Sequence, residues 1–135
     1  MNFIFKMSLF FLFISGSVFS QKYLFKTTSF LVTEKNKNGK WTEWTKPQKA
    51  EMIIKIDGEN HRVVIYSQEV QLFSIIKYNE VKKTETEIIS SFNCVDNLGV
   101  ECVVSVFTRI NQNNRRQLYI TYEDVIIEYN IQFED

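Results

Sequence analysis

Alternation of apolar and polar residues at period two constrains the fold of this chain more than any other feature. Helical spacing is scarce. The first extended run, Lys22–Glu34, ends where Asn38-Gly39 offers the positive φ angles of a tight turn. Met52, Ile54 and Ile56 then share one face, and the turn residues 57–60 lead into Arg62–Tyr66. This pair predicts a β-hairpin.

The second half of the chain alternates more regularly, so its faces can be assigned residue by residue. Between residues 70 and 78 the pattern places Val70, Leu72, Ile76 and Tyr78 on one face and Gln71, Phe73, Ile75 and Lys77 on the other. Further on, the apolar face is predicted to hold Ile88, Ser90, Phe92, Cys94, Cys102, Val104, Val106, Leu118, Ile120, Tyr122, Val125, Ile127, Tyr129, Ile131 and Phe133.

Short connections between about eight or nine strands predict an all-β, single antiparallel meander, because parallel pairing requires long crossovers. Such a meander closes as an up-and-down barrel or as a two-layered sandwich. Strands of about ten residues favour strongly coiled sheets, which close readily. We therefore favour a lipocalin-like barrel over the sandwich.

Residues 1–20 are typical of a signal peptide. Lys6 supplies the positive start, residues 8–14 an apolar run, and Val18-Phe19-Ser20 a cleavage site before Gln21. The run is shorter than the ~20 residues that span a bilayer, and lipid attachment would need a cysteine at the cleavage point. We expect a single β-rich domain, residues 21–135, that is periplasmic or secreted after cleavage.

The number and placement of charged residues argue against nucleic-acid binding and against an outer-membrane barrel. The chain has 16 basic and 16 acidic residues, and loss of Lys6 leaves a net charge of about −1, which gives no support for nucleic-acid binding. An integral membrane protein of the outer-membrane barrel type would need apolar lipid-facing positions. Here the faces opposite the aliphatic rows carry Lys55, Lys77, Glu85, Glu87, Glu101, Arg109 and Glu128.

Cys94 and Cys102 are the most distinctive chemical pair. Export favours oxidation, and the two residues share a parity across one predicted turn, so we predict a disulfide bond. A non-hydrogen-bonded pairing would bring their Cα atoms to about 4.5–5.5 Å, within disulfide range. Two reduced core thiols are the alternative. A metal site would have to recruit Asp96 or Glu101 together with His61, and this spacing matches no ligand pattern.

The sequence contains no recognisable catalytic motif, so we do not expect this protein to be an enzyme. His61, the single histidine, follows a turn where an exposed polar residue is ordinary. No nucleophile elbow, zinc-protease motif or phosphate-binding glycine loop occurs. We therefore expect no catalytic residues, no cofactor and no metal.

Gly39-Lys40-Trp41 resembles the Gly-x-Trp signature near the start of lipocalin-like barrels. That resemblance implies that Trp41 plugs the closed end of the barrel. The alternative is a hairpin glycine followed by an aromatic residue on a strand. A ligand pocket, if present, is predicted to be lined by Trp41, Trp44, Met52, Ile54, Phe92, Val104, Tyr122 and Tyr129.

Segments spread over most of the chain also resemble a type of small exported β-rich protein of Bacteroidota-like Gram-negative bacteria. That resemblance implies a periplasmic or secreted setting and brings no activity. The segments are the Phe-rich leader ending before Gln21, residues 26–30, 39–44, 65–67, 92–96 and 117–124.

Two functions of different classes follow from these features. The first is a non-catalytic module of the cell envelope that binds a protein partner through its surface, strand edges and loops. The alternative is a lipocalin-like carrier of a small apolar ligand or lipid. The two differ in whether the barrel interior is filled or keeps an open cavity.

Overall fold

Ten β-strands make up most of residues 21–134, the part of the chain that this computed structural model describes. The signal-peptide prediction falls on residues 1–20 and lies outside that part. The strands are β1 Lys22–Glu34, β2 Gln48–Lys49, β3 Ile53–Asp57, β4 Arg62–Tyr66, β5 Val70–Tyr78, β6 Lys82–Lys83, β7 Glu87–Val95, β8 Glu101–Arg109, β9 Arg115–Thr121 and β10 Val125–Phe133, with a 3-10 turn at Ile110–Gln112.

Eight of these strands form a closed antiparallel barrel. Each long strand pairs with the next along the chain, and β1 pairs with β10 from Phe25 opposite Phe133 to Glu34 opposite Val125. The two-residue strands β2 and β6 lie outside this ring, against β1 and β7. The predicted all-β meander and its closure as a barrel are confirmed, and closure leaves the long strands without a free edge.

The inward faces fill the barrel with apolar side chains. As the alternation of β7 to β10 predicts, Cys94, Val104, Leu118 and Ile120 are buried. Full burial of one large aliphatic or aromatic side chain contributes about 1.5–3 kcal/mol to folding. The other buried apolar residues are Phe25, Ile54, Ile56, Val63, Val64, Ile65, Phe73, Ile75, Phe92, Cys102, Tyr129 and Ile131.

A β-bulge near the end of β5 makes the predicted faces of Lys77 and Tyr78 wrong, while the predicted alternation from Phe73 to Ile76 is confirmed. The register against β7 shifts between Ile75 and Lys77. Ile75 is 8% exposed and Ile76 62% exposed, as the alternation predicts, whereas Tyr78 points inward and packs on the core because of the bulge. One extra residue reverses the parity of everything after it, so Ile75 and Tyr78 share the inner face.

Residues 35–50 turn back and follow β1 along the outside of the barrel. Gly39 has φ +75 in a turn where the Asn36 Oδ1 accepts hydrogen bonds from the amides of Asn38 and Lys40. Trp41 then pairs with Lys35 in an isolated bridge and is 40% exposed. The expectation that Trp41 plugs the barrel is wrong, because a hairpin turn leaves it outside.

Polar side chains link four strands on the outer wall. The nearly buried Gln117 of β9 donates a hydrogen bond to Glu128 Oε2 at 2.6 Å and accepts one from Arg109 Nε at 3.1 Å. Arg109 also forms an ion pair with Glu87. These contacts give the polar side chains of Glu87, Arg109, Gln117 and Glu128 hydrogen-bond or ion-pair partners and connect β7, β8, β9 and β10.

No helix within residues 21–134 has the length and apolar character needed to cross a membrane.

Candidate functional site

An apolar pocket opens at one end of the barrel, where β1, β4, β7 and β9 begin. We call this end the mouth and its cavity the mouth pocket. The cavity measures about 200 Å³. Its lining is Gln21, Tyr23, Phe25, Ile56, Gly58, Tyr78, Val81, Ser90, Phe92, Val106 and Phe133, of which five are aromatic.

Ring contacts hold the two sides of the mouth pocket in place. On one side Phe25 of β1 stacks on Phe133 of β10, with ring centroids 4.8 Å apart. On the other side Tyr78 of β5 meets Phe92 of β7 edge-on at 5.5 Å. Aromatic pairs at these separations contribute about 0.5–1.5 kcal/mol beyond their burial. The pocket walls are thus built by contacts that do not depend on an occupant.

A hydrogen bond joins Tyr78 to the hairpin between β3 and β4. The Tyr78 hydroxyl lies 2.8 Å from His61 Nδ1, and the two rings meet edge-on. His61 has φ +51, a left-handed conformation that aims its ring toward β5. Burial, followed by the nearby Cys94 and Asp57, raises the pKa of Tyr78, so its hydroxyl stays protonated at neutral pH.

The same hairpin is fixed by Asp57, whose side chain is buried. Asn60 donates to both carboxylate oxygens, from its side-chain amide at 2.9 Å and its backbone amide at 3.2 Å. Lys55 and Arg62 lie 3.7 and 3.8 Å from Asp57 Oδ2. The Asn60 side chain, together with its backbone amide and nearby lysines, lowers the pKa of Asp57 despite burial. The turn that borders the mouth is therefore anchored by a carboxylate.

At the opposite end of the barrel, which we call the far end, tight turns connect the strands. The Tyr122 hydroxyl donates to Asp96 Oδ2 at 2.7 Å, and Asp96 Oδ1 accepts from the amides of Leu98 and Val100. The Tyr122 hydrogen bond is the main cause that lowers the pKa of Asp96. Burial raises the pKa of Tyr122.

Cys94 and Cys102 lie opposite each other in the barrel near the far end, as the parity predicts, but both are free thiols. The predicted disulfide is therefore not formed in this structure. Burial raises the pKa of Cys94 to about 12 and that of Cys102 to about 11, which keeps both thiols protonated and unreactive.

Strand geometry explains the absence of a bond between these thiols. In the same ladder the Asp96 amide donates to the Val100 carbonyl and the Ile110 amide to the Thr86 carbonyl. Hydrogen-bonded pairs recur at every second position, so Cys94 and Cys102 form a hydrogen-bonded pair. Cβ atoms in such pairs are about 5.5 Å apart, whereas a disulfide needs about 3.5–4.5 Å.

The structure divides the pocket residues predicted from the sequence among three places. Phe92 lines the mouth pocket. Ile54, Val104 and Tyr129 are buried in the core, and Met52 and Tyr122 pack against it. Trp41 and Trp44 lie outside the barrel, 40% and 42% exposed.

Sequence reasoning missed most of the mouth pocket, including Tyr23, Phe25, Ile56, Val106 and Phe133. All are apolar or aromatic, and all stand near the strand ends that meet at the mouth. Strand direction alternates in an antiparallel meander, so the start of β1 and the ends of β3, β8 and β10 share one rim. That polarity, combined with the inward parity, is the signal that could have located them.

Comparisons with family models, curated proteins and solved structures find no match for this chain. Across residues 21–134 no group of three or more His, Cys, Asp or Glu side chains is arranged to hold a metal ion. The mouth pocket and the outer surface of the barrel are therefore the features from which we infer a function.

Proposed function

We propose that this chain is an exported, non-catalytic binding protein that holds a small apolar molecule in its mouth pocket. The supporting observation is the cavity of about 200 Å³ with five aromatic residues in its walls. A cavity of about 150 Å³ lined by apolar side chains is enough to bind benzene. Drug-sized ligands occupy about 300–1,000 Å³, so the ligand expected here is one aromatic ring or a short alkyl chain.

The binding test uses 2-phenylethanol, a neutral probe with one aromatic ring, and isothermal titration calorimetry on the mature chain. We expect one site with a dissociation constant on the order of 0.1–1 mM, given the ligand's few heavy atoms. Val106→Trp, which fills the pocket from β8, should weaken binding at least about tenfold.

Val103→Trp is the matched control, because Val103 lies on the outer face of the same strand, opposite Asn93 and Thr121. That variant should bind the probe as the wild type does. Failure of the wild type to bind, or equal binding by Val106→Trp, would refute the proposal. Native mass spectrometry of protein from its own host tests it independently, since a carrier should retain a small ligand.

A second candidate function, an envelope module that binds a protein partner, is favoured by aromatic residues on the outer wall. Trp44 meets Tyr119 edge-on at 6.4 Å, and Tyr119 contacts Phe107 at 4.9 Å. Trp44 remains 42% exposed. Aromatic side chains are enriched at protein interfaces. A co-purifying partner that is lost from Trp44→Ala but retained by Val106→Trp would select this function over the first.

The proposed setting is the periplasm or the extracellular medium of a Bacteroidota-like bacterium. It depends on the signal-peptide pattern of residues 1–20 and on the sequence resemblance. N-terminal sequencing of the protein from its host should begin at Gln21. A chain that retains Met1 in the cytosolic fraction would refute export.

A further inference from the structure

Arg116 is a cation placed on the inner face of the barrel at the mouth. Leu118 and Ile120 of β9 are buried in the core, and side chains alternate along a strand, so Arg116 shares their inward parity two residues nearer the mouth. Its neighbours across the ladder are Thr108 of β8 and Ile131 of β10. The outward face of β9 at this level carries Arg115 instead.

The guanidinium of Arg116 touches the wall of the mouth pocket. Its Cζ lies 4.5 Å from the ring centroid of Phe133, which lines the pocket and stacks on Phe25. A cation over an aromatic ring is attracted by the ring quadrupole, so this contact holds the guanidinium against a residue of the pocket wall.

This cation has no carboxylate partner in the described part of the chain. The ion pairs there join Lys49, Lys55, Arg62 and Arg109 to acidic residues, and none involves Arg116. Its Nη1 donates to the Asn114 carbonyl at 3.3 Å. A guanidinium carries five N–H donors, so most of its donors stay available to a ligand.

We propose that Arg116 makes the mouth pocket selective for small monoanionic amphiphiles, namely carboxylates that carry one aromatic ring or a short alkyl chain. This inference rests on the proposed function of the pocket. The apolar body would occupy the cavity among Phe25, Phe92 and Val106, and the carboxylate would accept hydrogen bonds from Arg116 at its edge. A planar guanidinium matches the two oxygens of a carboxylate.

The test compares phenylacetate with 2-phenylethanol, which has the same ring and a similar length but no charge. For the wild-type mature chain we expect phenylacetate to bind about five- to tenfold more tightly, the range for a charge-assisted contact partly open to water. Calorimetry at neutral pH and low salt measures both affinities.

Arg116→Gln should remove this preference by weakening phenylacetate alone and leaving 2-phenylethanol unchanged. Arg116→Lys, which keeps the charge without the planar fork, should retain part of it. Arg115→Gln is the matched control. It removes the same charge from the neighbouring residue, which is exposed and bonds to Gln112 and Asn130 on the outer surface.

The outcomes separate the inference from the proposed function. If both probes bind the wild type equally, or if Arg116→Gln and Arg115→Gln reduce the preference by the same factor, Arg116 does not select the ligand although the pocket binds. If neither probe binds, the proposed function fails and the inference fails with it. Thermal unfolding of each variant checks that the barrel is intact.

Discussion

The hydroxyl of Tyr122 donates a 2.7 Å hydrogen bond to Asp96 Oδ2 and so ties the end of β9 to the turn between β7 and β8. This contact lies at the far end of the barrel, away from the mouth pocket. Asp96 also accepts hydrogen bonds from the backbone amides of Leu98 and Val100. One carboxylate therefore both shapes a turn and joins neighbouring hairpins.

Tyr122→Phe removes that hydrogen bond and keeps the ring. We expect the free energy of unfolding to fall by about 1 kcal/mol at pH 7, since Asp96 keeps its backbone donors. Urea denaturation followed by circular dichroism measures the change. Tyr66→Phe is the control, because Tyr66 is 45% exposed at the end of β4, and its loss of a hydroxyl should leave stability unchanged.

The same contact predicts how stability depends on pH. The folded-state pKa of Asp96 is lowered below its ordinary value of 3.8, first by the hydrogen bond from Tyr122. The unfolded chain therefore binds the proton more readily, so this stabilisation is complete above the unfolded pKa and is lost as the pH falls through the folded one. Between about pH 5 and pH 2, stability should fall less steeply in Tyr122→Phe than in the wild type. Equal slopes would show that Tyr122 does not set the pKa of Asp96.

Free thiols at Cys94 and Cys102 give a direct chemical prediction. Burial raises both pKa values, to about 12 and about 11, so the folded protein should resist iodoacetamide at pH 8. Unfolding in guanidinium without reductant should expose two reactive thiols, counted by mass spectrometry. Recovery of no free thiol after unfolding would show that a disulfide forms despite the hydrogen-bonded register.

The all-β meander and most of its inner face could be predicted because alternation is a local property of the sequence. Residues such as Val104, Leu118 and Tyr129 are apolar at every second position, and the barrel buries them as the pattern requires. The register of the cysteines also followed from parity. Whether that pair is hydrogen-bonded depends on the phase of the ladder, which the parity of the side chains does not determine.

The mouth pocket could not be predicted in the same way, because a pocket depends on which strand ends meet in space. Phe25 and Phe133 are separated by nearly the whole described chain and meet only through the pairing of β1 with β10. The bulge in β5 is equally hidden, since Ile75, Ile76 and Lys77 contain no glycine or proline to mark it. The short Gly-x-Trp motif led us to place Trp41 in the predicted pocket, whereas the turn at Gly39 places it outside the barrel.

The fluorescence of Trp41 and Trp44 should show that both side chains lie on the outside of the barrel. Both are about two-fifths exposed, so we expect red-shifted emission that acrylamide quenches readily in the folded state. Trp41→Phe should change the free energy of unfolding by no more than about 0.5 kcal/mol, as surface substitutions usually do. A blue-shifted emission protected from acrylamide, or a loss of several kcal/mol in the free energy of unfolding, would show that Trp41 plugs the barrel as the lipocalin resemblance implies.

The bulge in β5 can be tested with two adjacent isoleucines that are chemically identical. Ile75 is 8% exposed and packs in the core, whereas Ile76 is 62% exposed. Ile75→Ala should cost about 2–5 kcal/mol of stability through lost burial and the cavity left behind. Ile76→Ala should cost at most about 0.5 kcal/mol. Denaturant unfolding of both variants tests this register. If β5 alternated regularly and still kept Tyr78 on the inner face, Ile76 would be buried and Ile75 exposed. The order of the two losses would then be reversed.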